Sequence, residues 1–292
     1  MSFGTYERLL NKVRETGGSS IREYLAGDSE LAASEIANPE NPGWFSETDA
    51  IWRVNADPCL IIGGLASLFI QTLHPLVMAG VADHSAYEQD PLGRLQRTGR
   101  FIGATTYGTV ETAETAVATV NKIHSFVTGT GPDGKEYKAN DPHLLGWVHN
   151  TEVYCFWKSY EKFGGADPTV NADDYTAQVA KAGKALGYKK APSTFAEVEQ
   201  NLEMYRDECA YTEPVGPTLK FLINPGVLPL VSAPSYVLMV AAALSLLPRW
   251  SREMLKIPIP PLATPLAIQP AARQLTSVLR WFAIAPQERG GT

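Results

Sequence analysis

Two long stretches without a single Asp, Glu, Lys or Arg constrain this chain more than any other feature. They run from Pro58 to Ala82, 25 residues, and from Phe221 to Pro248, 28 residues. Such stretches must be buried, in lipid or in a protein core, and roughly 20 apolar residues suffice to cross a bilayer. The first holds Gly63, Gly64, Gln71, His74 and Pro75, too polar for contact with lipid. The second is interrupted by Pro225, Pro229 and Pro234, which leaves about a dozen clean residues, a length typical of a buried core helix. A protein core is therefore the favoured destination for both, and membrane contact the less favoured one.

Hydrophobic residues make up 45% of the 292, enough for a sizeable core. The net charge of −6 argues against nucleic acid as a partner, because no basic stripe exists to neutralise phosphates. Cys59, Cys155 and Cys209 are scattered and show no CxxC spacing, so neither a disulfide framework nor a zinc knuckle is expected. Met1 to Arg22 carries Glu7, Lys12, Arg14 and Glu15 and lacks the apolar run of a signal peptide. A reducing, cytoplasmic setting is the expectation.

Helix signals dominate. Asp90-Pro91 predicts a helix to about Tyr107, and Thr109 with Glu111 and Glu114 opens a second that Gly129 would stop. Asp141-Pro142 starts a helix ending near Gly164, and Asn171 to Leu186 forms one stopped by Gly187. Thr194 and Glu197 make a capping box for a helix through Tyr211. A second capping box is read at Ser85 to Glu88. Gly129 to Gly134 matches GxGxxG, but it contains proline and follows a helix, so it reads as a turn, with a small hairpin over Gly131 to Tyr137. The fold class is all-α. Residues 1–44 read as a helical arm and loop, with an amphipathic helix near Tyr6 to Arg14. Residues 45–258 form the main helical domain, and 259–292 a C-terminal extension with a short helix.

The chemistry concentrates between Gln71 and His124. In the helix after Thr109, Ala113, Val117, Val120, His124 and Val127 recur at steps of 4, 3, 4 and 3, which turns His124 toward the core. It is either a core histidine bonded to a carbonyl or an axial iron ligand of a haem. One helix earlier, Arg94, Arg97, Thr98, Phe101 and Thr105 share a face, although the opposite face (Leu92, Leu95, Ile102) is already apolar. Both sides should therefore meet protein or ligand, and two enclosed arginines need anionic partners, which haem propionates would supply. Thr98 could donate to bound dioxygen. His74 and His84 are candidate acid/base groups, and His74 also a reserve ligand. His149 is the rival to His124 for iron, unless Glu152 satisfies it. His143, beside a helix cap, reads as a surface residue. No CxxCH is present, so any haem would be a non-covalent haem b.

These residues sit in segments that resemble a known family. Gly63-Gly64-Leu65-Ala66-Ser67-Leu68, Gln71-Thr72-Leu73-His74-Pro75, Gly80-Val81-Ala82-Asp83-His84-Ser85 and Asp90-Pro91-Leu92-Gly93-Arg94-Leu95-Gln96-Arg97-Thr98 are similar, in that order, to the MpaB-type oxygenases. So are Ile123-His124, Tyr137 to Pro142 and Trp147-Val148-His149. That family includes the rubber-cleaving latex clearing proteins, and the likeness spans about Phe45 to Pro258. The resemblance implies an all-helical, partly globin-like fold around one haem b, and oxidative chemistry with dioxygen. It implies that His124 is the proximal ligand and that Arg94 and Thr98 are polar residues of the haem pocket. Arg97 stands where latex clearing proteins have a lysine that caps the iron; a guanidinium stays protonated and is a poor ligand. Their catalytic glutamate has no counterpart between Gln71 and His84, so polyisoprene cleavage is not expected.

The resulting expectation is a haem b-dependent oxygenase using dioxygen or peroxide on a small apolar or lipid-like substrate, with Val227 to Leu247 lining substrate access. A non-catalytic haem carrier or gas sensor on the same scaffold is the alternative. A homodimer is left open.

Overall fold

The computed structural model describes residues 31, 33–85, 91–224, 233–257, 259 and 263–283. The amphipathic helix expected near Tyr6 to Arg14, Asp90, and the Ser85 to Glu88 capping box beyond Ser85 lie outside those residues. Among the described residues, twelve α-helices and one two-stranded sheet make the fold all-α, as the capping pattern implies.

The centre is α6, Pro142–Phe163, started by the Asp141 cap and closed by Gly164. It is buried on nearly every face from Leu144 onward, which is why its sequence carries no clean polar stripe. The first uncharged stretch supplies its main partner. It folds as α2, Leu60–Gln71, and the start of α3, Pro75–His84, with Ile62, Phe69, Ile70 and Leu73 almost fully enclosed. Gly63 permits the close approach of α2 to α6, since a Cβ there would stand 3.0 Å from the Cys155 carbonyl oxygen and the Phe156 Cα. Helix α1, Ala50–Ala56, meets α2 at a 90° bend. No single described helix is long and apolar enough to cross a membrane; the bent α1–α2 pair would qualify only by length and composition.

Around this pair pack α7 (Ala172–Leu186), α8 (Phe195–Tyr205), α9 (Val215–Ile223), α10 (Ala233–Leu246) and the C-terminal α12 (Gln269–Ala283), with the short α11 (Arg249–Met254) before it. Several starts and stops are where the sequence puts them. Asn171 caps α7, Gly187 ends it at φ +115°, and Thr194 with Glu197 forms the capping box of α8. Helix α8 stops earlier than Tyr211, at Tyr205, and tightens into a 3₁₀ turn over Arg206–Glu208. Val227 lies outside the described residues. The C-terminal half of α10 is buried on α2, and Val237 near its start is 64% exposed.

Helices α4 (Pro91–Tyr107) and α5 (Val110–His124) form a hairpin across Gly108-Thr109. Residues 33–44 tie to its turn, through Ala37 N–H to the Tyr107 carbonyl at 2.8 Å and Thr109 N–H to the Glu35 carbonyl at 2.9 Å. Thr109 caps α5, as expected, but the helix stops at His124, not at Gly129. Instead, Thr128–Thr130 forms β1 and pairs with β2, Glu136–Lys138. Gly129 faces Tyr137 so closely that a Cβ would lie 2.5 Å from its hydroxyl. The glycine that looks like a helix stop is needed for this cross-strand contact.

One polar clasp holds the two ends of the fold together. Asp57, at the α1–α2 bend, accepts from Cys59 N–H, Gly165 N–H (both 2.9 Å) and Arg280 Nε of α12 (2.7 Å), while Arg280 also donates to the Phe163 carbonyl. The Asp57 side chain is 7% exposed and that of Arg280 22%. Removing one member of a buried pair leaves the other charge unpaired. Arg280→Ala should cost about 2–3 kcal/mol, the two backbone donors keeping the loss at the low end. Urea unfolding of the two proteins checks this, and a change under 0.5 kcal/mol (roughly a surface substitution) would show that the clasp is not stabilising.

Candidate functional site

The residues singled out in sequence do not converge on one point; the structure sorts them into three places. The first is the open end of the α4–α5 hairpin. Arg94 lies fourteen residues before Gly108 and His124 fifteen after Thr109, so at ~1.5 Å per residue both stand about 20 Å from the turn, at the same end. The Arg94 side chain is outside the described residues. Arg97 and Thr98 are exposed, contrary to the enclosure expected of their face. The expectation assumed both sides of α4 covered, but among the described residues α4 packs mainly on α5 and α1.

His124 ends α5. Ala113 and Val117 of its stripe are buried, and His124 itself is half-buried. Its Nδ1 is enclosed and has no hydrogen-bond partner among the described residues. A helix C-terminus favours a charged histidine, yet burial wins here and holds the imidazole pKa below its ordinary value. The result is a neutral ring with an unclaimed nitrogen, the state an iron ligand requires. Beside it Ile123 and Phe126 are 55% and 73% exposed, an apolar surround open to a flat ligand. The donor set fits a haem.

His84 closes α3 and its Nε2 donates to the Thr128 carbonyl at 2.9 Å, which leaves Nδ1 uncommitted to that bond. His74 sits at the other end of the same helix, ten residues away, hence ~15 Å by helical rise.

The second place gathers around His74, the N-cap of α3. Its ring is 2% exposed, and neither nitrogen makes a hydrogen bond. Glu208 Oε2 is 3.6 Å from His74 Nε2, beyond hydrogen-bonding reach, and 2.7 Å from His143 Nε2. His143, in the first turn of α6, is exposed as expected of a surface residue, yet its ring stacks near Tyr205 at 4.7 Å. Sequence reasoning missed Glu208. Extending α8 to Tyr211 made it one more acid on a solvated helix, and 134 positions separate it from His74. No spacing rule links them.

The third place is His149 on α6. Its ring lies against α7, with Nδ1 2.7 Å from where a Cβ on Gly183 would be and the Tyr188 ring at 5.6 Å. That edge has no room for a porphyrin. Glu152 does not satisfy it: His149 Nε2 is buried without a partner, and burial pushes the ring's pKa down to about 4.

The chain matches the family model described as ER-bound oxygenase mpaB/B'/rubber oxygenase, catalytic domain, over residues 52–281. It belongs to that family. The match reaches from α1 into α12 and takes in all the histidines named above. It makes the chain an oxygenase-type catalytic domain. No curated protein and no solved structure shows significant similarity to it.

Glu152 carries its own consequence. Burial raises its pKa from 4.5 to about 7. Below pH 4.5 it is protonated folded or unfolded; as pH rises through about 7 the fold must accept a desolvated charge, and stability is lost. Glu152→Gln should match the wild type near pH 4 and exceed it by about 1–2 kcal/mol at pH 8, partial exposure of the side chain trimming the full linkage value. Unfolding curves at the two pH values test the sign, and a variant less stable at pH 8 would reverse it.

Proposed function

We propose that this chain is a haem b-dependent oxygenase that uses dioxygen or peroxide on a small apolar or lipid-like substrate. What supports the reading is His124: a neutral imidazole with an enclosed, unclaimed nitrogen, in a domain of an oxygenase family. When bound, haem supplies the redox-active iron that such chemistry needs.

The chain's own residues then divide the work. His124 would hold the iron from the end of α5. Arg94 and Arg97, three apart in the sequence of α4, are the residues whose type would suit the two propionates or a developing negative charge. Thr98 adds a hydroxyl donor at the same end of the hairpin. His84, with its Nε2 proton committed to Thr128, presents Nδ1 as the base that moves protons. Ile123 and Phe126 give an apolar approach that favours a hydrophobic substrate over a charged one. Three free buried cysteines suit a reducing, cytoplasmic setting.

The absorption spectrum decides the reading. Wild type purified with haem should show a Soret band that His124→Ala loses, while His149→Ala keeps it and both variants retain helical circular dichroism. A Soret band unchanged in His124→Ala would remove His124 from the site.

A further inference from the structure

We propose that His74 Nε2, His143 Nε2 and a carboxylate oxygen of Glu208 form a binding site for one divalent metal ion of the zinc class, separate from the haem ligand. One ligand atom from each of the three residues lies within 4.8 Å of the other two. They come from three segments: the N-cap of α3, the first turn of α6 and the 3₁₀ turn after α8. Two imidazoles and one carboxylate are a donor set that zinc takes with three protein ligands and solvent in the remaining position.

The observation that points to a ligand is His74. It is a polar side chain 2% exposed, with neither ring nitrogen hydrogen-bonded, and its Nε2 faces Glu208. A buried imidazole left so is costly unless something outside the polypeptide claims its lone pair. Glu208 alone does not, because 3.6 Å is too long for a hydrogen bond.

Geometry favours an ion over a simple contact. Bonds of about 2.0–2.1 Å at tetrahedral angles place ligand atoms ~3.3 Å apart. His74 to Glu208 already stands near that, and His143 to Glu208, at 2.7 Å, must open by roughly half an ångström. Both partners are about half exposed and sit on rotatable side chains, which also lets His143 close on His74 from a separation of at most 4.8 Å. His143 would move its Nε2 proton to Nδ1 and exchange a hydrogen bond for a metal bond. Trp147 and Tyr205 flank the His74 ring at 5.9 and 6.3 Å and restrain its orientation. Two helix N-termini oppose a cation here, but that effect is small beside coordination by three ligands, and the Glu208 charge offsets it.

The test uses the tag-free full chain, cleared of adventitious metal with a chelator and titrated with Zn²⁺ by calorimetry and with Co²⁺ by visible absorption. One ion per chain is expected, with cobalt bands of a four- or five-coordinate site and a melting temperature raised by Zn²⁺. His143→Ala and Glu208→Gln, both at half-exposed positions, should fold and weaken Zn²⁺ binding at least tenfold. His124→Ala should leave zinc stoichiometry intact, and His143→Ala should leave the Soret band intact, so this site and the haem reading can fail separately. If the wild type binds Zn²⁺ no more tightly than the His143→Ala, Glu208→Gln double variant, the cluster is a hydrogen-bonded surface pair beside a buried histidine and the site is rejected.

Discussion

Everything in this molecule leans on the contact between α2 and α6. A helix 22 residues long and buried on most of its faces is stable only if neighbours cover it on several sides, and α2 is the neighbour that comes closest. Gly63 sets that distance, backbone against backbone. The lack of charge along α2 follows from the same constraint, because α6 and α10 pack against it and bury Ile62, Gly63, Ala66, Ser67, Phe69 and Ile70. The bend just before it carries Asp57, whose carboxylate is matched by two N–H groups and Arg280. The C-terminal helix is thereby fastened to the first buried one, 223 residues away in sequence.

How much of this could be read from the chain depended on whether the deciding interaction was local. Helix starts at Thr109, Asp141, Asn171 and Thr194 were legible because an N-cap is satisfied within three residues of itself. Ends were less so. Gly187 stops α7 by its own conformation, but Gly129 belongs to a strand because Tyr137 needs the space beside it, and nothing near Gly129 announces that. Likewise α8 stops at Tyr205, whose hydroxyl donates to the His143 carbonyl. Tertiary partners, not propensity, ended both helices.

The site shows the same division. Periodicity put His124 on a stripe whose first members, Ala113 and Val117, are buried, while Val120 and His124 itself are half-buried. The stripe could not show that Arg97 and Thr98, one helix earlier, would face outward, because exposure depends on which helices cover α4. Nor could it group His74 with Glu208. His74 and His84 look like neighbours in a motif, yet α3 holds them at its opposite ends, and each finds company that sequence distance hides.

The five histidines follow one rule with three outcomes. The two exposed rings, His84 and His143, have hydrogen-bond partners within 3 Å; the buried nitrogens of His74, His124 and His149 have no hydrogen-bond partner among the described residues. Each orphaned nitrogen costs about 1–3 kcal/mol if nothing claims it, so each requires water, an ion or a cofactor from outside the polypeptide. Their surroundings decide which. His149 is walled by Gly183 and Tyr188, deep between α6 and the end of α7. His124 stands at a helix end beside exposed apolar residues, where a flat hydrophobic cofactor gains from burial. His74 faces a carboxylate and a second imidazole, the company a small cation prefers. The same unsatisfied atom therefore points to different chemistry, and the neighbours, not the histidine, carry the information.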